Sequence, residues 1–85
     1  MKSAAYTVGT TAVKIIVADD THRTCYVHVV GNSVVYVGNS TVTTSTGLPT
    51  EKSQPFEVVV PSRQELYAIV ATATEDVRVL TPDTD

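Results

Sequence analysis

Val35-Tyr36-Val37-Gly38-Asn39-Ser40-Thr41-Val42-Thr43-Thr44-Ser45-Thr46-Gly47 reads as a short strand, a Gly-Asn turn and a Thr/Ser-rich excursion. It is answered further on by Leu66-Tyr67-Ala68-Ile69 and by Val77-Arg78-Val79-Leu80, two more runs with the period-2 character of strands. Within the first run Val35 and Val37 should point one way, with Val34 and Tyr36 pointing the other. The same bias runs through the whole chain. Its 85 residues include 16 Val, 14 Thr and 3 Ile, against 3 Leu and 1 Met. β-branched side chains lose rotamer freedom in a helix and fit a pleated surface, so helix is the minority state.

Working outward, Ala12 to Ala18 predicts a strand with Val13, Ile15 and Val17 inward, closed by the turn formers Asp19-Asp20-Thr21-His22 as a hairpin into the next strand. That next strand is Arg23 to Val30, with Cys25, Val27 and Val29 on one face and Tyr26, His28 and Val30 on the other. Both faces are semi-apolar, which predicts a central position. Residues 1–10 form a short first strand or an extended arm, in which Tyr6 and Val8 share a face. Asn39 to Lys52 is poor in large apolar residues and predicts a long surface loop, with an edge strand at Val42-Thr43-Thr44. Gln54 to Val60, bounded by Pro55 and Pro61, predicts an edge or terminal strand. Leu66 to Ala71 and Val77 to Leu80 complete the set, and Ser62 to Tyr67 is the one place for a helical turn. About seven short strands at turn spacings of roughly 8–12 residues predict an all-β fold. The expected form is a small antiparallel β-sandwich, jelly-roll-like or Ig-like, or a small barrel. It occupies residues 1–80 as a single domain, followed by a flexible acidic tail at 81–85.

Composition narrows the function classes. Six Lys/Arg against nine Asp/Glu give a net charge of −3 with no clustered basic face, which argues against nucleic-acid binding. No apolar stretch approaches the roughly 20 residues of a membrane-spanning helix. Met1-Lys2-Ser3-Ala4-Ala5-Tyr6 is not followed by the apolar segment of a secretory signal. Cys25 is the only cysteine, so no disulfide staples one chain, and its Val-rich setting predicts a buried apolar role. Asp19, Asp20 and His22 are metal-ligand types, but they lie in a turn without a second histidine or cysteine at ligand spacing. The expectation is therefore a solvated turn with no metal and no cofactor. The chain contains no Gly-x-Ser-x-Gly elbow, and its carboxylates sit mainly in turns, at strand ends and in the tail. The expectation is a non-enzymatic protein.

Laid end to end, the following segments resemble small virion proteins of tailed bacteriophages, of the capsid-decoration, minor-capsid or head-fibre type: Tyr6-Thr7-Val8-Gly9, Val13-Lys14-Ile15-Ile16, Arg23-Thr24-Cys25-Tyr26-Val27, Val35-Tyr36-Val37-Gly38, Val42-Thr43-Thr44, Thr46-Gly47-Leu48-Pro49, Glu65-Leu66-Tyr67-Ala68 and Val77-Arg78-Val79-Leu80. The resemblance covers nearly the whole chain. It implies a compact β-sandwich, made in the host cytoplasm, that coats the capsid surface of the virion, binds the major capsid protein and stabilises the mature head. It also implies a homo-oligomer at local symmetry axes, with a trimer favoured. It carries over a role and no specific contact.

Candidate contact residues come instead from chemistry and position. Arg23 and Arg78 stand beside or within strands, either on a solvated outer face or against a partner's carboxylate. Tyr36 and Tyr67 either cap the core or anchor a partner. The chain end and the long loop add Tyr6, Asn39, Thr43, Thr44 and Leu48, because termini and loops can vary without disturbing strands. The competing readings are a head-tail or tail accessory protein and a carbohydrate-binding β-sandwich module. Exposed aromatics would support the latter, and this chain has no Trp.

Overall fold

The computed structural model describes residues 1–54 and 56–82. Eight strands follow in chain order: β1 (Lys2–Val8), β2 (Val13–Ile16), β3 (Arg23–Val29), β4 (Val35–Gly38), β5 (Leu48–Thr50), β6 (Phe56–Val60), β7 (Leu66–Val70) and β8 (Glu75–Thr81). They form two four-stranded antiparallel sheets, one in the order β1-β8-β3-β6 and the other in the order β2-β7-β4-β5. The architecture is the expected small β-sandwich, and no helix occurs among the described residues. We call the first sheet A and the second sheet B.

The core is what the alternation dictates. Val8 from β1, Cys25, Val27 and Val29 from β3, Val60 from β6, and Val77 and Val79 from β8 project from sheet A. Ile15, Ile16, Val35, Val37, Ala68 and Val70 meet them from sheet B. Fully burying a side chain of the Val or Ile class contributes about 1.5–3 kcal/mol. Cys25 is among the fully buried residues, in the apolar role expected of it. Strand β3 is central, between β8 and β6, and β1 is a true strand rather than an arm, with Tyr6 and Val8 on its inner side.

Several expectations are corrected. The Asp19–His22 turn does not close a hairpin, because β2 belongs to sheet B and β3 to sheet A, so the chain crosses the sandwich there. The register of β2 shifts between Lys14 and Ile16, and this bulge turns both Ile15 and Ile16 into the core. Val17, expected inward, is left 57% exposed. The Thr/Ser-rich excursion holds no strand at Val42-Thr43-Thr44; the edge strand lies later, at β5, which carries Pro49. Ser62 and Arg63 form a turn and β7 begins at Leu66, so no helical turn occupies that stretch. Thr81, expected to start the tail, is buried at the end of β8 opposite Lys2. Residues 83–85 of the expected tail, and Pro55, lie outside the described residues.

The excursion is nonetheless an organised cap. Val42 is 5% exposed and sits against Gly38 and Gly47, where a Cβ at either glycine would come within 3 Å of its Cγ2. Asn39 Oδ1 accepts from the Thr41 amide at 3.1 Å and from its hydroxyl at 3.0 Å. The Thr43 carbonyl accepts from the Gly47 amide at 2.8 Å, while the Thr46 hydroxyl accepts from the Thr43 amide at 3.1 Å. These local side-chain bonds satisfy the turn's own backbone. At the other end of the molecule, the buried Glu75 carboxylate accepts from the amides of Gly31 and Ser33 at 2.9 Å each and from its neighbour Asp76 at 3.0 Å. It thereby pins the β3–β4 turn to the start of β8.

Candidate binding surface

The outer face of sheet A holds an open, shallow trough of about 530 Å³. Alternation produces it directly. With Cys25, Val27 and Val29 inward, β3 must present Thr24, Tyr26 and His28 outward. By the same rule β8 presents Asp76, Arg78 and Leu80, β1 presents Ser3, Ala5 and Thr7, and β6 presents Glu57 and Val59.

Strand register arranges these side chains in rows. One row runs Ser3, Leu80, Tyr26, Glu57, and the next runs Ala5, Arg78, His28. The small residues on β1 lower one bank of the trough, leaving Leu80, Tyr26 and the Arg78 stem as its wall. Tyr26 is 45% exposed and Val59 is 58% exposed, so a substantial apolar area faces solvent on a rigid sheet.

Polar groups edge this apolar floor. The negative charge of Glu57, directly across from Tyr26, raises the phenol's pKa, and a hydrogen bond between them adds to it, so Tyr26 stays a neutral donor through the physiological range. His28 Nε2 lies 3.2 Å from the Lys52 carbonyl oxygen. Thr7 donates its hydroxyl to Asp76 at 3.2 Å. Arg78 is exposed, and among the described residues no carboxylate lies within ion-pair distance of it. A guanidinium beside Leu80 and Tyr26 can meet a partner's carboxylate with paired hydrogen bonds while its stem packs against apolar surface. What this face can do chemically is bind: it offers apolar area, a hydrogen-bonding phenol and an exposed guanidinium.

Of the residues singled out from sequence, Arg78 is the one on this face. Tyr36 and Tyr67 lie on the outer face of sheet B, half-buried. There Lys14 pairs with Glu65 at 2.7 Å and approaches the Tyr67 ring at 5.9 Å; the Glu65 hydrogen bond and charge raise the lysine's pKa. Asn39, Thr43 and Thr44 belong to the exposed cap, where Asn39 and Thr43 are engaged in the cap's own bonds, and Leu48 is 54% exposed on the edge strand that follows. Tyr6 points inward and packs against the core. Arg23 does not stand on a solvated face: it is 4% exposed, and its Nη2 donates to the Val17 carbonyl at 2.7 Å, bridging the sheet crossover.

The nine candidates are thus scattered over two sheets, a cap and the interior. Sequence reasoning missed Tyr26, His28, Leu80 and Val59 as members of one surface. The signal for Tyr26 and His28 was the alternation in β3 itself, which put them opposite Cys25 and Val27. Which strands flank β3 is set by sheet order, and alternation does not carry that.

Among the described residues no group of three or more His, Cys, Asp and Glu is placed to hold a metal ion. Comparison with protein-family models, with curated proteins and with solved structures finds no match to the chain.

Proposed function

We propose that this chain is a virion protein of a tailed phage that acts by binding: it seats the outer face of sheet A on the outer surface of the assembled capsid and stabilises the mature head. The virion assignment is supported by the resemblance of the strand segments to small phage head proteins. The binding mode is carried by one observation, the surface formed by exposed Tyr26 and Val59 and half-buried Leu80, with the exposed Arg78 beside it. A rigid sandwich face loses little conformational entropy on docking, and its aromatic and arginine side chains are the types enriched where binding energy concentrates.

The function follows by linkage. A protein that binds the mature shell and not its opened form stabilises the shell by roughly RT ln(1 + [L]/Kd) at each site. Repeated over many sites, a few kcal/mol each produces a large resistance to rupture.

The test is a cryo-EM map of particles produced by the genome that encodes this chain. Density for the sandwich is expected on the head shell, with sheet A facing the major capsid protein. Arg78→Glu and Tyr26→Thr should each abolish capsid binding while leaving the melting temperature within a few degrees of wild type. Particles whose heads lack this chain would reject the reading.

A further inference from the structure

The two sheets have four edge strands, β1 and β6 in sheet A and β2 and β5 in sheet B. An edge exposes unpaired backbone N–H and C=O groups, and natural β-proteins blunt it with prolines, bulges, inserted charges or shortness. Three of the four edges here are blunted. Strand β5 has three residues with Pro49 in the middle; β2 has four residues, a register shift and Lys14. Strand β6 carries Glu57, and Pro55 and Pro61 flank it in sequence.

Strand β1 has none of these devices along its length. It is seven residues long, its pairing with β8 is regular from Lys2↔Thr81 to Val8↔Glu75, and its single charge is at its first residue.

We propose that β1 is the surface on which a second copy of this chain docks, strand to strand and antiparallel, joining two four-stranded sheets into one. The occupant follows from self-complementarity. Full overlap of Lys2–Val8 with itself puts a twofold axis at Ala5, so that Ala5 faces Ala5 of the second copy, Ser3 faces Thr7, and Ala4 faces Tyr6. Every outward pair is small and uncharged, and on the inner side the smallest residue meets the largest. No like charges are opposed, because Lys2 falls opposite Val8 at either end. Pairing brings the second copy's β1 alongside the narrow cleft whose lining includes Lys2, Ala4, Tyr6, Ile16 and Val17, and Val17 is 57% exposed in the single chain.

A twofold through one antiparallel edge closes after two copies, so this contact specifies a dimer in place of the trimer that the resemblance implies. A contact of seven residues a side falls short of the roughly 1,200–2,000 Å² of stable complexes, so the dimer is concentration-dependent. The inference does not depend on the virion reading. The axis stands perpendicular to the sheet, which leaves both copies of the Tyr26–Arg78 face on one side.

The test is sedimentation equilibrium of the full chain over a range of concentrations. The wild-type mass should rise from the 9.1 kDa monomer to twice that. Ala5 is exposed and directed outward, opposite Arg78 on β8, so the monomer should stay folded in both variants, with Ala5→Glu melting slightly higher than Ala5→Lys. The like-charge pair directly opposed across the axis should weaken pairing about two- to fivefold in each variant. An equimolar mixture of the two should regain the dimer, because Lys then faces Glu. A rescued mixture is a readout that a general loss of stability would not give. Hydrogen exchange of the wild type supplies a variant-free check, since β1 amides should become more protected as concentration rises. A wild-type chain that stays monomeric, a trimer, association indifferent to both charges, or a mixture that fails to pair would each overturn the proposal.

Discussion

Glu75 shows how one side chain can fix a turn. Its carboxylate accepts three backbone N–H bonds. Those from Ser33, Asp76 and Gly31 outweigh the opposing effect of burial and hold its pKa below the ordinary glutamate range. Because the folded pKa is depressed, the unfolded chain binds the proton more readily. The stabilisation is therefore complete above the unfolded carboxylate range and is lost as pH falls through the folded value. Urea midpoints should thus decline from the ordinary glutamate range downward in the wild type, and Glu75→Gln should flatten part of that decline. At neutral pH the same variant should lose about 2 kcal/mol, since a neutral amide replaces a charged acceptor. Gly31→Ala should reproduce the loss, because a Cβ there would collide with the carboxylate. Identical acid limbs for wild type and Glu75→Gln would refute the assignment. None of this is legible in sequence: Glu75 precedes the Val77 to Leu80 run that alternation marks as a strand, and its partner Gly31 lies 44 residues away.

At the scale of elements, the Thr/Ser-rich stretch behaves as a cap because Val42 is clamped between two glycines that leave room for it. Val42→Ala should cost about 1–2 kcal/mol in urea denaturation and should speed hydrogen exchange at the Thr46 and Gly47 amides, whose acceptor is the Thr43 carbonyl. An unchanged exchange rate would mean that the stretch is held by its own turn bonds alone. Sequence reading found this stretch and its polarity but gave the strand to Val42-Thr43-Thr44. The actual strand hides behind Pro49, a residue that argues against a strand unless the position is at an edge. The central strands were readable for the opposite reason. In β3 and β4 the alternation is clean and each inner residue is Val or Cys or, at the start of β3, the buried Arg23. What alternation cannot convey is sheet membership. Turn residues at Asp19–Asp20 look the same whether the chain reverses within a sheet or crosses to the other, and here it crosses. That ambiguity also hid the candidate face, whose rows exist only once β8 is known to lie between β1 and β3.

At the scale of the whole molecule, the order β1-β8-β3-β6 makes the last strand of the chain the second strand of sheet A. Strand β8 pairs with β1 along its full length and with β3 from Val77 to Leu80, and it supplies Val77 and Val79 to the core. Without it, β1 has no hydrogen-bonded neighbour in its sheet and Gly31 and Ser33 lose the Glu75 carboxylate. Sheet A is therefore incomplete until the C-terminal strand is available, and all of its pairings join strands distant in sequence. Such a topology pays its loop-closure entropy before long-range contacts repay it, so folding belongs to the slow, milliseconds-to-seconds class of small β-proteins. A chain ending at residue 74 should accordingly show no cooperative thermal transition, whereas the full chain should unfold in one step. Circular dichroism and near-ultraviolet melting of the two chains, side by side, decide the matter. A cooperative transition in the shortened chain would show that sheet B with β3 and β6 is stable alone, and that β8 and β1 dock onto a domain already formed.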